Sequence, residues 1–105
     1  MQKILNQTEI LAFDYLKKFG FENNEIEPLI HKGEIELENE LNKLNCLMNG
    51  KVVSLENLNN LLHAIKGLLS HLGHIELVQK LDNIRTYDNV DKKIKALHHI
   101  IEFSK

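Results

Sequence analysis

Residues 61–73 read Leu61-Leu62-His63-Ala64-Ile65-Lys66-Gly67-Leu68-Leu69-Ser70-His71-Leu72-Gly73, and their spacing predicts an amphipathic helix with an unusual polar side. At 3.6 residues per turn, Leu55, Leu58, Leu62, Ile65, Leu69 and Leu72 form one apolar stripe stepped by threes and fours. His63 falls nearly opposite, with Asn59, Lys66, Gly67, Ser70 and His74 expected around it. A glycine inside an exposed helical face costs about 1 kcal/mol relative to alanine. Gly67 therefore asks for a reason that helix formation does not provide.

Working outward, Ser54 is placed to cap this helix, and Glu56 suits the positive N-terminal end. Gly73 is a natural terminator. Upstream, Ile26, Ile30, Leu37, Leu41, Leu44 and Met48 recur at helical spacing up to Asn49-Gly50, predicting a long helix over 25–49. Asn23 or Asn24 is its expected cap, Pro28 is expected in its first turn, and Gly33 is a weak point within it. Glu34, Glu36, Glu38 and Glu40 read as a solvated face. The connection Gly50-Lys51-Val52-Val53 is short, which makes the following helix an antiparallel neighbour, and its two valines are too few to build a sheet.

The first helix is expected over 8–19, capped by Thr8, with Ile10, Leu11, Phe13 and Leu16 on its apolar face and Gly20 ending it. Ile75, Val78, Leu81 and Leu77 predict a fourth helix over 75–85. After the polar break Thr86-Tyr87-Asp88-Asn89, the residues Val90, Ile94, Leu97, Ile100 and Ile101 predict a fifth over 90–103. The expected architecture is all-α: an antiparallel up-and-down four-helix bundle, with the extra N-terminal helix packed across it as a lid, in a single domain over 1–105.

Composition narrows the function classes. With 13 Lys and Arg against 15 Asp and Glu the net charge is -2, and the basic residues form no stripe, which argues against nucleic acid as partner. Apolar runs fall short of the ~18 residues that cross a bilayer. The opening Met1-Gln2-Lys3-Ile4-Leu5-Asn6-Gln7 is too soon interrupted by polar residues for a secretion signal. A cytoplasmic, monomeric chain is the expectation. Cys46, the single cysteine, can form no internal disulfide and is expected at the core or its boundary. His71 with His74, and His98 with His99, could suggest a zinc site. No Glu or Cys set matches them, and histidines near helix ends are favoured by the dipole in any case.

His63-Ala64-Ile65-Lys66-Gly67, with Gly73 ten residues after the histidine, resembles the signature of histidine phosphotransfer (HPt) domains. The phosphotransfer domain of chemotaxis histidine kinases carries a similar box. The likeness extends over roughly residues 20 to 104: a long acidic helix, a tight turn, the histidine helix, a glycine and shorter helices in the same order. It implies a four-helix bundle and a phosphorelay role, with His63 as phosphoacceptor between receiver-domain aspartates and a sensor histidine kinase. The chain would act as a carrier rather than as an enzyme, with no cofactor of its own, the magnesium belonging to the receiver. Asp82 lies nineteen residues after His63, where the chemotaxis domain carries a glutamate that hydrogen-bonds the histidine. The resemblance therefore implies an orienting role for Asp82.

The chemistry is consistent with that reading on its own terms. Neutral imidazole is a competent nucleophile toward phosphorus, and phosphoryl transfer asks chiefly for positioning and charge neutralisation. Lys66 stands one turn from His63 on the same side and can meet phosphate oxygens. Gly67 removes a side chain where a partner must approach. Ala64 and Leu68 are the expected docking residues beside Asn59 and Ser70. HPt domains usually carry small residues after the Lys-Gly pair, and here Leu68 and Leu69 depart from that pattern.

Overall fold

A computed structural model describes residues 1–50 and 53–102. Five helices follow one another: α1 (Gln2–Lys18), α2 (Asn23–Met48), α3 (Leu55–His71), α4 (Ile75–Ile84) and α5 (Val90–Ile101). Among the described residues there is no strand. Each helix packs on the next in sequence, most heavily α2 on α3. At 1.5 Å per residue the 26 residues of α2 span roughly 39 Å, most of the 45 Å long axis of a body 23 Å across. No helix among the described residues is long and apolar enough to cross a membrane. Lys51, Val52 and the expected end of the last helix at Phe103 lie outside the described residues.

The core is one cluster to which every helix contributes. From α3 it takes Leu58, Leu62, Ile65 and Leu69, with Leu72 just beyond, as the stripe requires. Leu55, at the helix start, is 46% exposed. From α2 it takes Ile26, Ile30, Leu37, Leu41, Leu44 and Met48. Leu77, Leu81 and Ile84 of α4 and Leu97 and Ile101 of α5 complete it. Gly33 is a place of close approach rather than a simple weakness. A Cβ there would stand 2.8 Å from Cδ2 of Leu72, so the missing side chain lets α2 lie against the end of α3.

Local chemistry sets the helix ends, and it corrects several expectations. Ser54 caps α3 as expected, its Oγ accepting from Asn57 N at 3.4 Å, and Asn89 caps α5, accepting from Lys92 N at 2.8 Å. The cap of α2 is neither Asn23 nor Asn24 but Glu22, in a reciprocal capping box with Glu25, whose Oε1 accepts from Glu22 N at 3.0 Å. Because this box starts the helix early, Pro28 lies beyond the first turn, inside α2. Cys46 is exposed, on the side of α2 away from the Leu37-Leu41-Leu44 stripe.

The largest correction concerns α1. It begins at Gln2 rather than Thr8, and its buried stripe is Ile4, Leu5, Thr8, Ala12 and Leu16. Fours from Ile4 to Leu16 define that stripe, which leaves Ile10 72% exposed and Leu11 41% exposed. Thr8 caps nothing: its hydroxyl shares a buried hydrogen bond of 2.8 Å with Nδ1 of His74. His74 is 5% exposed and is thus withdrawn from the His63 side where the helical wheel placed it. The reason is Gly73, whose φ of +79° turns the chain out of α3 before His74 is reached. Tyr15 of α1 packs onto that turn, so that a Cβ on Gly73 would lie 2.3 Å from Tyr15 Cγ. At the other end of α1 the Met1 ammonium donates to Ile101 O at 2.8 Å. Thus α1 touches α2, the α3–α4 turn and the end of α5.

Two outcomes are expected. Gly73→Ala combines left-handed strain of about 1–2 kcal/mol with overpacking of about 1–3 kcal/mol. Urea unfolding should show a loss of about 2–5 kcal/mol, only partly restored by adding Tyr15→Ala; an unchanged midpoint would refute this packing. The second concerns pH. Burial lowers the His74 imidazole below its ordinary range, Glu76 opposing and Lys80 adding to the effect. The unfolded chain then takes up a proton that the folded chain resists. His74 therefore contributes fully above an ordinary histidine value of ~6.5, and that contribution is lost as pH falls through the depressed folded value. His74→Gln should flatten the decline of stability as pH falls below an ordinary histidine value of ~6.5, by at most about 1.4 kcal/mol per pH unit. Parallel slopes in the two proteins would rule His74 out.

Candidate functional site

His63 projects from the middle of α3, and the buried stripe of the same helix fixes its outward direction. It is exposed, and among the described residues no hydrogen bond engages its ring. Asn59, Ala64, Gly67 and Ser70 are exposed around it, and Leu68 is half-buried. The structure therefore gathers on one side of α3 the residues expected there, His74 excepted. A Cβ built on Gly67 meets no atom within 4 Å. Among the described residues, no atom stands where that Cβ would go.

Lys66 is not left loose beside the histidine. Its side chain is only 12% exposed, and its ammonium donates to Oδ1 of Asp82 on α4, tying α3 to α4. Arg85 Nη1 stands 3.9 Å from the same oxygen. The hydrogen bond from Lys66, with the charges of Lys66 and Arg85, holds the Asp82 carboxyl below the usual carboxylate range. Asp82 thus addresses the lysine, not the histidine that the family resemblance assigned to it. Arg85 went unnoticed in the sequence, although its position three residues after Asp82 was a readable signal.

The flank of the site is built by α2. Ala64 and Leu68 line a shallow groove of about 390 Å³ together with Glu36, Asn39, Glu40 and Lys43. Lys43 pairs with Glu40 at 3.2 Å. Glu36 and Glu40, read from the sequence as plain solvated surface, therefore border the expected docking residues. Glu34 departs from that reading in another way. One of its carboxyl oxygens, Oε1, is buried without a hydrogen-bond partner among the described residues. Burial first, then the neighbouring Glu9, raises its carboxyl above the ordinary range.

Among the described residues no three His, Cys, Asp or Glu side chains converge as metal ligands. What the α3 face offers chemically is an accessible imidazole, an ammonium one turn away held by a carboxylate, and an open space where a side chain is missing. Comparison with family models, with curated proteins and with solved structures finds no match for this chain.

The open surroundings of Gly67 separate stability from function in a simple experiment. Gly67→Ala should raise stability by about 0.5–1 kcal/mol, since helix propensity improves and nothing is displaced. Thermal or urea unfolding would check this, and destabilisation would reveal a fold-related need for the glycine.

Proposed function

We propose that this chain is a histidine phosphotransfer protein of a two-component phosphorelay, accepting a phosphoryl group on His63 and passing it to or from receiver-domain aspartates. The observation that carries the proposal is Gly67: an exposed mid-helix glycine, one turn from His63, whose Cβ would meet no atom of the described residues within 4 Å. A residue that costs helix stability and relieves no internal crowding is best explained by something outside the chain. A partner's active-site loops pressing against α3 would supply that reason.

In this reading α2 to α5 form the up-and-down bundle of such proteins, and Ala64 and Leu68 begin the docking surface. A ring nitrogen of His63 attacks the phosphorus of an aspartyl phosphate. The P–N bond forms as the P–O bond breaks, the electron pair leaves on the aspartate carboxylate, and the other ring nitrogen keeps its proton. Lys66 offsets the phosphoryl charge. At 4 Å such a pair is worth about 1 kcal/mol in water and about 4 kcal/mol at an effective dielectric of 20, so the lysine matters most once a docked receiver excludes solvent. The receiver brings the magnesium. The chain is a phosphocarrier and not a kinase, and its partners are response-regulator receivers and a sensor histidine kinase in the cytoplasm.

Incubation with phosphorylated receivers of the same organism should transfer label to this chain as an acid-labile, alkali-stable adduct. His63→Gln should abolish that label, and Gly67→Ala should slow its arrival about tenfold or more while leaving the fold intact. Label surviving in His63→Gln, or no label from any receiver, would refute the proposal. Receiver binding without label would instead favour a docking module of the same shape.

A further inference from the structure

The tie between Lys66 and Asp82 raises a question that the phosphocarrier reading, on which the following rests, does not answer. The ammonium expected to serve the phosphoryl group is already engaged. Its partner is a carboxylate of the neighbouring helix, and its side chain is largely shielded from solvent. Asp82 is half exposed and has a second cation, Arg85, at 3.9 Å. Lys66 also sits one turn from His63, within reach of a group attached to that ring. A phosphoryl group on His63 and the Asp82 carboxylate therefore compete for one ammonium.

We propose that Asp82 is a positioning residue that sets the phosphoryl-transfer potential of His63 by competing for Lys66. In the unmodified protein Lys66 bridges α3 to α4. On phosphorylation it turns toward the phosphoryl oxygens, and Asp82 is left with Arg85. Each phosphorylation must then break an existing ion pair, and the negative charge of Asp82 remains nearby. Both effects make the phosphohistidine less stable than a free lysine would. A carrier benefits from this, because a phosphoryl group held too well is not passed on. Arg85 limits the cost of the exchange by keeping the released carboxylate partnered. The arrangement differs from a carboxylate bonded to the histidine itself, which would act on the nucleophile rather than on its product.

The test needs no cognate receiver. Phosphoramidate, a small phosphoryl donor, can exchange with His63: the donor's P–N bond breaks, its nitrogen leaves as ammonia, and the new P–N bond forms to the ring. In the presence of added ammonia the exchange reaches equilibrium, which phosphorus NMR reads as a ratio of phosphohistidine to donor. Asp82→Asn should shift this ratio toward phosphohistidine by about three- to tenfold, in keeping with a partly shielded ion pair. The shift should shrink below about twofold when Lys66→Gln is also present. Asp82→Glu, which restores the charge, should return most of the wild-type ratio. A carboxyl-carbon titration should show the Asp82 carboxyl moving back up toward its ordinary range on phosphorylation, as Lys66 leaves. Equal ratios in wild type and Asp82→Asn, with His63 labelled in both, would overturn the proposal and leave the phosphocarrier reading standing. A persistent threefold shift in the Lys66→Gln background would overturn it too, since the lysine would not be the mediator. Absence of label on wild-type His63, where free histidine is phosphorylated alongside, would remove the phosphocarrier reading and this inference together.

Discussion

Burial of the α3 stripe is the constraint on which the rest of the structure depends. Leu58, Leu62, Ile65 and Leu69 are each at most 1% exposed, and a helix has only one rotation that buries all four. Complete burial of side chains of this size is worth about 1.5–3 kcal/mol apiece, far more than any polar contact on the opposite side. The orientation of His63 is therefore not negotiated by His63. It follows from the leucines, and so does the outward direction of Gly67. A side chain placed this way keeps its outward direction even though it makes no hydrogen bond of its own among the described residues.

The second layer of organisation is polar and joins helices that the hydrophobic stripe alone would leave free to slide. Lys66 reaches α4 through Asp82, and Thr8 reaches the α3–α4 turn through His74. The two contacts differ in kind. The Thr8–His74 bond is buried, so its loss would leave polar atoms unsatisfied at a cost of about 1–3 kcal/mol. The Lys66–Asp82 pair has one exposed partner, where ion pairs contribute little to stability. A weakly stabilising pair can be exchanged for another at little cost to the fold. That property suits the residue beside the candidate nucleophile and would not suit the turn that α1 covers.

The fold class and the candidate site were legible in the sequence wherever a long apolar period met a distinctive end. The stripe of α3, its Ser54 cap and the run of α2 all belong to that group. Where the reading went astray, a polar residue stood in an apolar row. Thr8 looked like a cap because threonine so often is one, yet it occupies the second step of the stripe from Ile4 to Leu16. His74 looked exposed because the helical wheel was continued past Gly73, although a glycine at positive φ ends the wheel's authority. The asparagine cap and the place of Pro28 fail together, because the capping box that starts α2 early uses Glu22 where an asparagine is available. Spacing alone does not assign Asp82 to Lys66 rather than His63, since both lie on the preceding helix α3 and the choice depends on how α4 is rotated.

His63 and His74 make the relation between position and chemistry concrete. They lie eleven residues apart, with Gly73 immediately before the second, and a composition-based reading cannot tell them apart. The first follows the helical period and ends on the side away from the core, open to solvent. The second follows the turn and ends beneath α1, where burial lowers its affinity for a proton and Thr8 occupies one of its nitrogens. An imidazole in the second setting can hold α1 in place but cannot meet a partner's active site. One in the first can meet a partner, while the ammonium beside it stays engaged with Asp82. Gly73 therefore does more than end a helix: it assigns His74 to the core, while the α3 stripe leaves His63 exposed.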